Sequence, residues 1–319
     1  MYKESIQDAI SMHELPTHWH SDVLKEAELV SNKKKSAKYR RDLRNIPFAT
    51  IDGEDAKDFD DAIYCVKSTS GYKLYVAIAD VSFYVEVNSK LDKEAKKRGT
   101  SIYFPGTVIP MLPEILSNGI CSLRPNEDRC AIVCEMSIGL DGTRKKYKFY
   151  SGLINSQARL TYNQVEKHIN LTKDLNNEAV RDSINHLHEL TNKRLKLRKS
   201  RQALEINPIE AILELNKNKE VKNIIIKKPL FAHKLVEESM LLANESAAEF
   251  MHDRLDLGVY RIHEDPDPSK LETLKKHFKV PAQSANKSSP LEVINSCLKE
   301  AHEKKDDTGQ ILVLQTLAR

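Results

Sequence analysis

The ten residues Asp52-Gly53-Glu54-Asp55-Ala56-Lys57-Asp58-Phe59-Asp60-Asp61 set six carboxylates against a single Lys. A fold that draws such a string together holds like charges a few ångströms apart, which is costly and pushes each carboxyl pKa upward. Divalent cations remove that cost. Asp side chains kept close together, opening from an apolar stretch such as Ile46-Pro47-Phe48-Ala49-Thr50-Ile51, are what hydrolytic two-metal chemistry requires of its ligands. The residues alone therefore point to a Mg2+ or Mn2+ site for phosphodiester hydrolysis.

Three other readings compete. Acidic stretches are commonly solvated loops, but Ala62-Ile63-Tyr64-Cys65-Val66 follows at once and predicts a strand, so these acids sit between two apolar segments. An EF-hand loop asks for Gly at its sixth position and Glu at its twelfth, and no register supplies both. Asp58-Phe59-Asp60-Asp61 also fits the DxDD acid motif of terpene cyclases. Those are large helical proteins with aromatic-lined cavities, whereas this chain is 6% aromatic with one Trp.

The string Thr50-Ile51-Asp52-Gly53-Glu54-Asp55-Ala56-Lys57-Asp58-Phe59-Asp60-Asp61-Ala62 resembles the active-site signature of the RNase II/RNase R (RNB) exoribonucleases, with the closer likeness to the bacterial RNase R branch. Four further blocks follow in the family's order: Val76 to Ser82, Arg98 to Pro105, Ile109 to Glu114 and Leu116 to Leu123. The resemblance implies an α+β fold of the RNB catalytic type, strand-rich in its first half and helix-rich in its second. It also implies 3′-to-5′ hydrolysis of single-stranded RNA to nucleoside 5′-monophosphates with Mg2+, or Mn2+ in its place. By position, Asp52, Asp58, Asp60 and Asp61 match the family's metal ligands, and Asp60 matches the position whose loss abolishes cleavage. Glu54 and Asp55 match no ligand. Tyr103 matches an aromatic that stacks near the terminal base, which suits an enzyme accepting every nucleotide because all bases present a π face. Tyr162 matches a second RNA-contacting aromatic, and Glu237 or Glu238 a carboxylate near the RNA.

The same resemblance leads us to expect a piece of a longer enzyme. The family's catalytic domain continues into a Phe-Thr-Ser-Pro-Ile-Arg-Arg-Tyr motif, whose Arg clamps the scissile phosphate, and then into an S1 domain. Neither occurs here, and the paired cold-shock domains expected upstream are missing. Residues 1–31 read as the tail of a preceding cold-shock or OB-like module, 32–44 as a basic linker and 45–319 as a partial RNB domain. An electrostatic clamp of that kind contributes about 10²- to 10³-fold to rate, so a chain lacking it is expected to be feeble or inactive unless a separate chain supplies the remainder. The alternative is a non-catalytic remnant that holds RNA or a partner.

Composition excludes other classes. No apolar run approaches the roughly 18 residues of a membrane span, and Met1-Tyr2-Lys3-Glu4-Ser5 opens no secretory signal, so a cytoplasmic location is expected. Five Cys without a CxxC pair argue against a disulfide frame or a zinc site and for buried thiols. The net charge is only +4, yet Lys33, Lys34, Lys35, Lys38, Arg40, Arg41 and Arg44 form one basic run, and Lys193, Arg194, Lys196, Arg198, Lys199 and Arg201 another. Either run could grip phosphates in a salt-dependent way, or serve as linker and solvated helix face. His18-Trp19-His20 reads as a surface cluster.

Patterning predicts buried strands over Lys73 to Val85 and Ala131 to Ile138. A hairpin turns at Asp141-Gly142, and a second joins Ile212 to Leu215 with Val221 to Ile226. Helices are predicted near 173 to 200, with Leu187, Leu190, Leu195 and Leu197 on one face, and along Leu235, Met240, Leu241, Ala243, Ala247 and Phe250. A strand at Val259 to Ile262 is expected to stop at Asp265-Pro266-Asp267-Pro268, which caps a following helix, and His263 beside that turn reads as structural.

Overall fold

Eleven strands and nine α-helices make up the described part of the computed structural model, which covers residues 2–33, 39–201, 203, 210–216, 221–227, 229–255, 258–260, 262, 265–281, 289–304 and 306–317. The strands are β1 (Arg41–Asp42), β2 (Ala49–Asp52), β3 (Asp61–Ser68), β4 (Gly71–Ala79), β5 (Ile102–Phe104), β6 (Thr107–Ile109), β7 (Asp128–Ile138), β8 (Arg144–Asn155), β9 (Ala158–Thr161), β10 (Glu210–Leu215) and β11 (Val221–Lys227). The helices are α1 (Tyr2–Met12), α2 (Ser21–Ser31), α3 (Lys90–Arg98), α4 (Tyr162–Ile169), α5 (Glu178–Ser200), α6 (Phe231–Arg254), α7 (Pro268–His277), α8 (Pro290–Lys304) and α9 (Asp307–Leu317). The α+β expectation holds, with strands concentrated in the first half and helices in the second.

The chain separates into two compact units, Met1–Arg194 with Pro208–Glu249, and Leu195–Asn207 with Phe250–Arg319. The first is built on a seven-stranded sheet in the order β1-β8-β7-β4-β3-β2-β9. Its outer pairs β1/β8 and β2/β9 are parallel and the rest antiparallel. Period-2 alternation sends neighbouring side chains to opposite faces. On β4, Leu74 and Val76 join a core formed with Val165, Leu187, Leu190, Leu235 and Leu242 of the helices, while Tyr75 and Ala77 join Phe48, Phe59, Leu123 and Ile154 on the other face. Burial on both faces explains why the β4 sequence is almost uninterruptedly apolar.

Two hairpins match their turn signals. In the β7–β8 turn Gly142 has φ +88, a conformation that favours glycine, and the Asp141 carboxylate accepts the Thr143 N–H at 3.0 Å. Strands β10 and β11 pair antiparallel as expected, their connecting residues 217–220 lying outside the described set. The strand predicted over Lys73 to Val85 ends earlier, at Ala79. There Asp80 turns the chain into a 3₁₀ turn at Val81–Phe83 and accepts a hydrogen bond from Ser82 Oγ at 2.7 Å.

Helix α5 buries Leu187 and Leu190 as predicted. The deepest line along α6 runs through Ala232, Leu235, Ser239, Leu242 and Ser246 rather than through Met240, Leu241, Ala247 and Phe250, a shift of phase around the helix. Helix α2 buries Val23 and Ala27 against Tyr84, Leu91 and Leu116, and Arg98 stacks 3.5 Å over the Trp19 ring, so the His-Trp-His segment contributes packing.

The second unit packs Leu274 of α7, Val293, Ile294, Cys297 and Leu298 of α8, and Val313 of α9 into its own core. Asp267 caps α7 by accepting the Ser269 N–H at 2.8 Å, as the acidic turn foretold. The strand expected at Val259 to Ile262 is absent: Val259, Tyr260 and Ile262 pair with no strand, and both aliphatic side chains are exposed. His263 lies outside the described residues. All five Cys are free and buried. Among the described residues no helix is long and apolar enough to cross a membrane.

Candidate active site

Sheet topology converges the acids on one edge of the first unit. Asp52 ends β2 and Asp61 begins the antiparallel neighbour β3, so residues 53–60 form the loop between adjacent strands, with Asp58 and Asp60 on it. Asp52 also stands opposite Thr161, the last residue of the parallel neighbour β9, and Tyr162 follows immediately. Thr161 caps α4 in a reciprocal capping box with Gln164, which fixes where that helix starts.

The loop is strapped at both ends. Arg159 Nη2 donates to the carbonyls of Gly53 and Glu54 at 2.7 and 2.6 Å, and Asn163 donates to Glu54 at 2.9 Å. Phe59, the one apolar residue near the loop's end, is buried in the core under β4. Its burial turns Asp58 and Asp60, on either side of it, toward the surface by simple alternation. The Ala79 N–H donates to the Asp60 carbonyl at 2.8 Å, tying the loop to the end of β4.

The electrostatics carry the signature of crowded acids. Asp61 is pushed up to about 6, by burial first and then by Asp52 and Asp60. Asp60 is also raised, by burial and then by Asp58 and Asp52. Asp61 Oδ2 is buried with no hydrogen-bond partner among the described residues. A buried carboxylate oxygen without a donor is costly unless a cation meets it. Among the described residues no three His, Cys or carboxylate side chains are gathered tightly enough to hold an ion as they stand. An all-oxygen donor set of this kind suits Mg2+ or Mn2+.

Both sequence-predicted tyrosines adjoin the acids. Tyr103, on β5, is 67% exposed, and its hydroxyl is shifted upward by burial of that group and by the charge of Asp58 and then Asp60. An aromatic face open to solvent beside carboxylates is available for stacking. Tyr162 is half-buried, and its hydroxyl is pushed up to about 12 by burial, then by Asp52 and Asp61. Its ring stacks on His233 with centroids 4.0 Å apart and 17° between planes.

The two glutamates on α6 differ sharply. Glu238 is 2% exposed and pairs with buried Arg194 at 3.3 Å, so both are structural partners inside the fold. Glu237 is exposed and lies one helical turn from His233, on the same face. Arg194 therefore drops out of the second basic run. In the first run, Arg40 pairs with buried Asp80 at 2.6 Å, Arg44 with Asp42 and Asp128, and Lys33 with Glu86, while Lys34, Lys35 and Lys38 lie outside the described residues.

Ser122, Arg159 and His233 escaped sequence reasoning as parts of this site. Each lies in or beside a segment that drew notice for other residues, but nothing local marks a side chain whose partner is far along the chain.

A profile of the RNB domain matches residues 40–319, and the chain belongs to the RNB family. Within it the chain is similar to ribonuclease R. It is 43% identical to the Escherichia coli (strain K12) protein over 277 residues, covering 85% of this chain and 34% of that one. The Vibrio cholerae protein is 42% identical over 270 residues, covering 83% and 33%. The chain thus spans about a third of the length of these relatives. The structure of Mycoplasma genitalium RNase R in complex with ribose methylated single-stranded RNA aligns with a TM-score of 0.90 at 31% identity, over 99% of this chain and 50% of that one. Yeast Ssd1, described as a pseudonuclease, shares the fold with a TM-score of 0.67 at 16% identity.

Proposed function

We propose that this chain carries the acid centre of a 3′-to-5′ hydrolytic exoribonuclease that degrades single-stranded RNA to nucleoside 5′-monophosphates. The observation that carries the reading is the convergence of Asp52, Asp58, Asp60 and Asp61 with Tyr103 and Tyr162 around the loop between β2 and β3, where crowding raises Asp60 and Asp61. The RNase R relatives, including one solved with single-stranded RNA, support the substrate class.

Asp52, Asp58, Asp60 and Asp61 would hold Mg2+, or Mn2+, and ions bound there neutralise charge on the phosphodiester as it is attacked. The chain's own residues do the rest. Asp60, the most open of the four, orients the attacking water through a carboxylate oxygen. Tyr103 offers its exposed ring to the terminal base, and stacking of that kind is worth about 1–3 kcal/mol per base without sequence preference. Tyr162, braced by His233 and beside Asp52 and Asp61, is the second RNA-contacting aromatic of this reading, and exposed Glu237 its carboxylate near RNA. Residues 1–31 would be the tail of a preceding cold-shock or OB-like module and 32–44 a basic linker into the catalytic domain.

Degradation of a 5′-labelled single-stranded RNA with Mg2+ or Mn2+, by this chain and by Asp60→Asn, tests the reading. Laddering from the 3′ end that disappears in the variant is the expected result, at a low rate because the family's phosphate-clamping Arg is not in this sequence. A non-catalytic role, holding RNA or a partner, is the second reading, which the exposed Tyr103 ring would serve equally well. RNA retention without cleavage by either protein would select it.

A further inference from the structure

Ser122 takes no part in the chemistry above, yet it touches the loop that carries it. Its side chain is fully buried at 0% exposure, just beyond the π-helical turn at Ile115–Ile120. Its Oγ accepts the Phe59 N–H at 2.9 Å and donates to the Lys57 carbonyl at 3.0 Å. Those two backbone groups bracket Asp58, and Phe59 also precedes Asp60. The neighbouring Leu123 N–H donates to the Phe59 carbonyl at 2.8 Å. Ser122 is itself braced: buried Arg129 donates Nε to its carbonyl at 2.7 Å and Nη2 to the Gly119 carbonyl at 3.3 Å.

Only a hydroxyl does this work at this size, since one atom must accept and donate in two directions at once. Alanine would leave a buried N–H and a buried carbonyl with no partner from this side, in a loop where repulsion among the acids already favours opening.

We propose that Ser122 is a positioning residue for ion binding: its hydroxyl, held by Arg129, fixes the backbone on both sides of Asp58 and so sets how the Asp58 and Asp60 carboxylates present themselves to a divalent cation. The inference rests on the reading of Asp52, Asp58, Asp60 and Asp61 as ion ligands. Loop geometry, and not only overall stability, then controls affinity.

Titration calorimetry with Mn2+ alone on the full chain tests it, comparing the parent with Ser122→Ala and with Ser246→Ala. Ser246 is equally buried, donating to the Leu242 carbonyl at 2.7 Å far from the acid loop. Ser122→Ala is expected to raise the Mn2+ Kd about tenfold, and Ser246→Ala to lower Tm while leaving Kd within about twofold. An unchanged Kd in folded Ser122→Ala, or an equal loss in Ser246→Ala, overturns the proposal. Should Ser122→Ala fail to fold, Ser122→Cys carries the same expectation, because a thiol donates and accepts weakly.

Hydrogen exchange at the Ala79 amide separates this inference from the reading beneath it. That amide bonds the Asp60 carbonyl and not the Ser122 hydroxyl. If the parent binds no Mn2+, the ligand reading fails and exchange alone decides. Roughly tenfold faster exchange at Ala79 in Ser122→Ala, with Ser246→Ala at the parent rate, would sustain the placement of the loop backbone by Ser122 although its effect on ion affinity falls with the ligand reading, and an unchanged rate would end it.

Discussion

Tyr162 and His233 show how a single contact can shape a site without entering its chemistry. Their stacked rings lie 4.0 Å apart, and aromatic pairs of this kind are worth about 0.5–1.5 kcal/mol beyond their burial. His233→Ala is expected to raise KM for single-stranded RNA about 2- to 10-fold while kcat and Mn2+ affinity hold, read from steady-state kinetics and calorimetry. An equal loss in kcat would place the imidazole in the chemistry itself. Glu237 and Glu238 make the complementary case. The sequence presents them as equals, and only the phase of α6 separates them, because successive residues of a helix point about 100° apart. Removing Glu238 leaves buried Arg194 with only the half-exposed Glu245 at 3.9 Å to balance its charge, a loss of up to about 3–5 kcal/mol. Glu238→Ala should therefore unfold at much lower denaturant concentration, and Glu237→Ala should stay within about 0.5 kcal/mol of the parent. Similar losses in both would mean that the two side chains share one environment.

At the scale of elements, the acid loop was the most legible part of the sequence and its supports the least. The apolar run Ala62 to Val66 after the six carboxylates predicted β3, and the apolar stretch before them carries β2. The straps were invisible because Ser122 sits 63 residues from Phe59 and Arg159 sits 106 from Gly53, and no local pattern encodes such pairs. The phase of α6 and the end of β4 slipped for a related reason: which apolar residues go deepest depends on what packs against them. The raised pKa of Asp61 follows from the same loop. Its folded value, about 6, lies above the usual 3.8, so folding favours the protonated form. The stability this contributes is complete below about pH 4 and is lost as pH rises through about 6. For protein freed of divalent ions, unfolding free energy should fall by roughly 2 kcal/mol between those limits. Asp61→Asn should reduce that slope, leaving the part that comes from the raised Asp60, and saturating Mg2+ should remove it. A slope unchanged in Asp61→Asn would assign it to another group.

At the scale of the molecule, every residue assigned to the acid site belongs to the first unit, while the second keeps a core of its own around Leu274, Ile294 and Val313. The family could be read across the chain because five blocks in the first half carry its residues, whereas the likeness is weaker after Asn170 and the second half was read mainly from periodicity and turn signals. A short apolar run such as Val259 to Ile262 suggests a strand but names no partner strand to pair with, which is why the expectation there misled. An ion that binds only the folded acid site stabilises it by RT ln(1 + [L]/Kd), about 2.7 kcal/mol at a hundredfold excess over Kd. That stabilisation should not spread evenly. Added Mn2+ should slow hydrogen exchange most in β2, β3 and the end of β4, where Asp52, Asp61 and the Ala79–Asp60 bond lie, and should leave α8 of the second unit at its ion-free rate. Peptide-resolved exchange with and without Mn2+ reads both at once. Protection of α8 equal to that of β3 would mean that the two units open together, and protection in neither would mean that the carboxylates do not act as ligands in this chain.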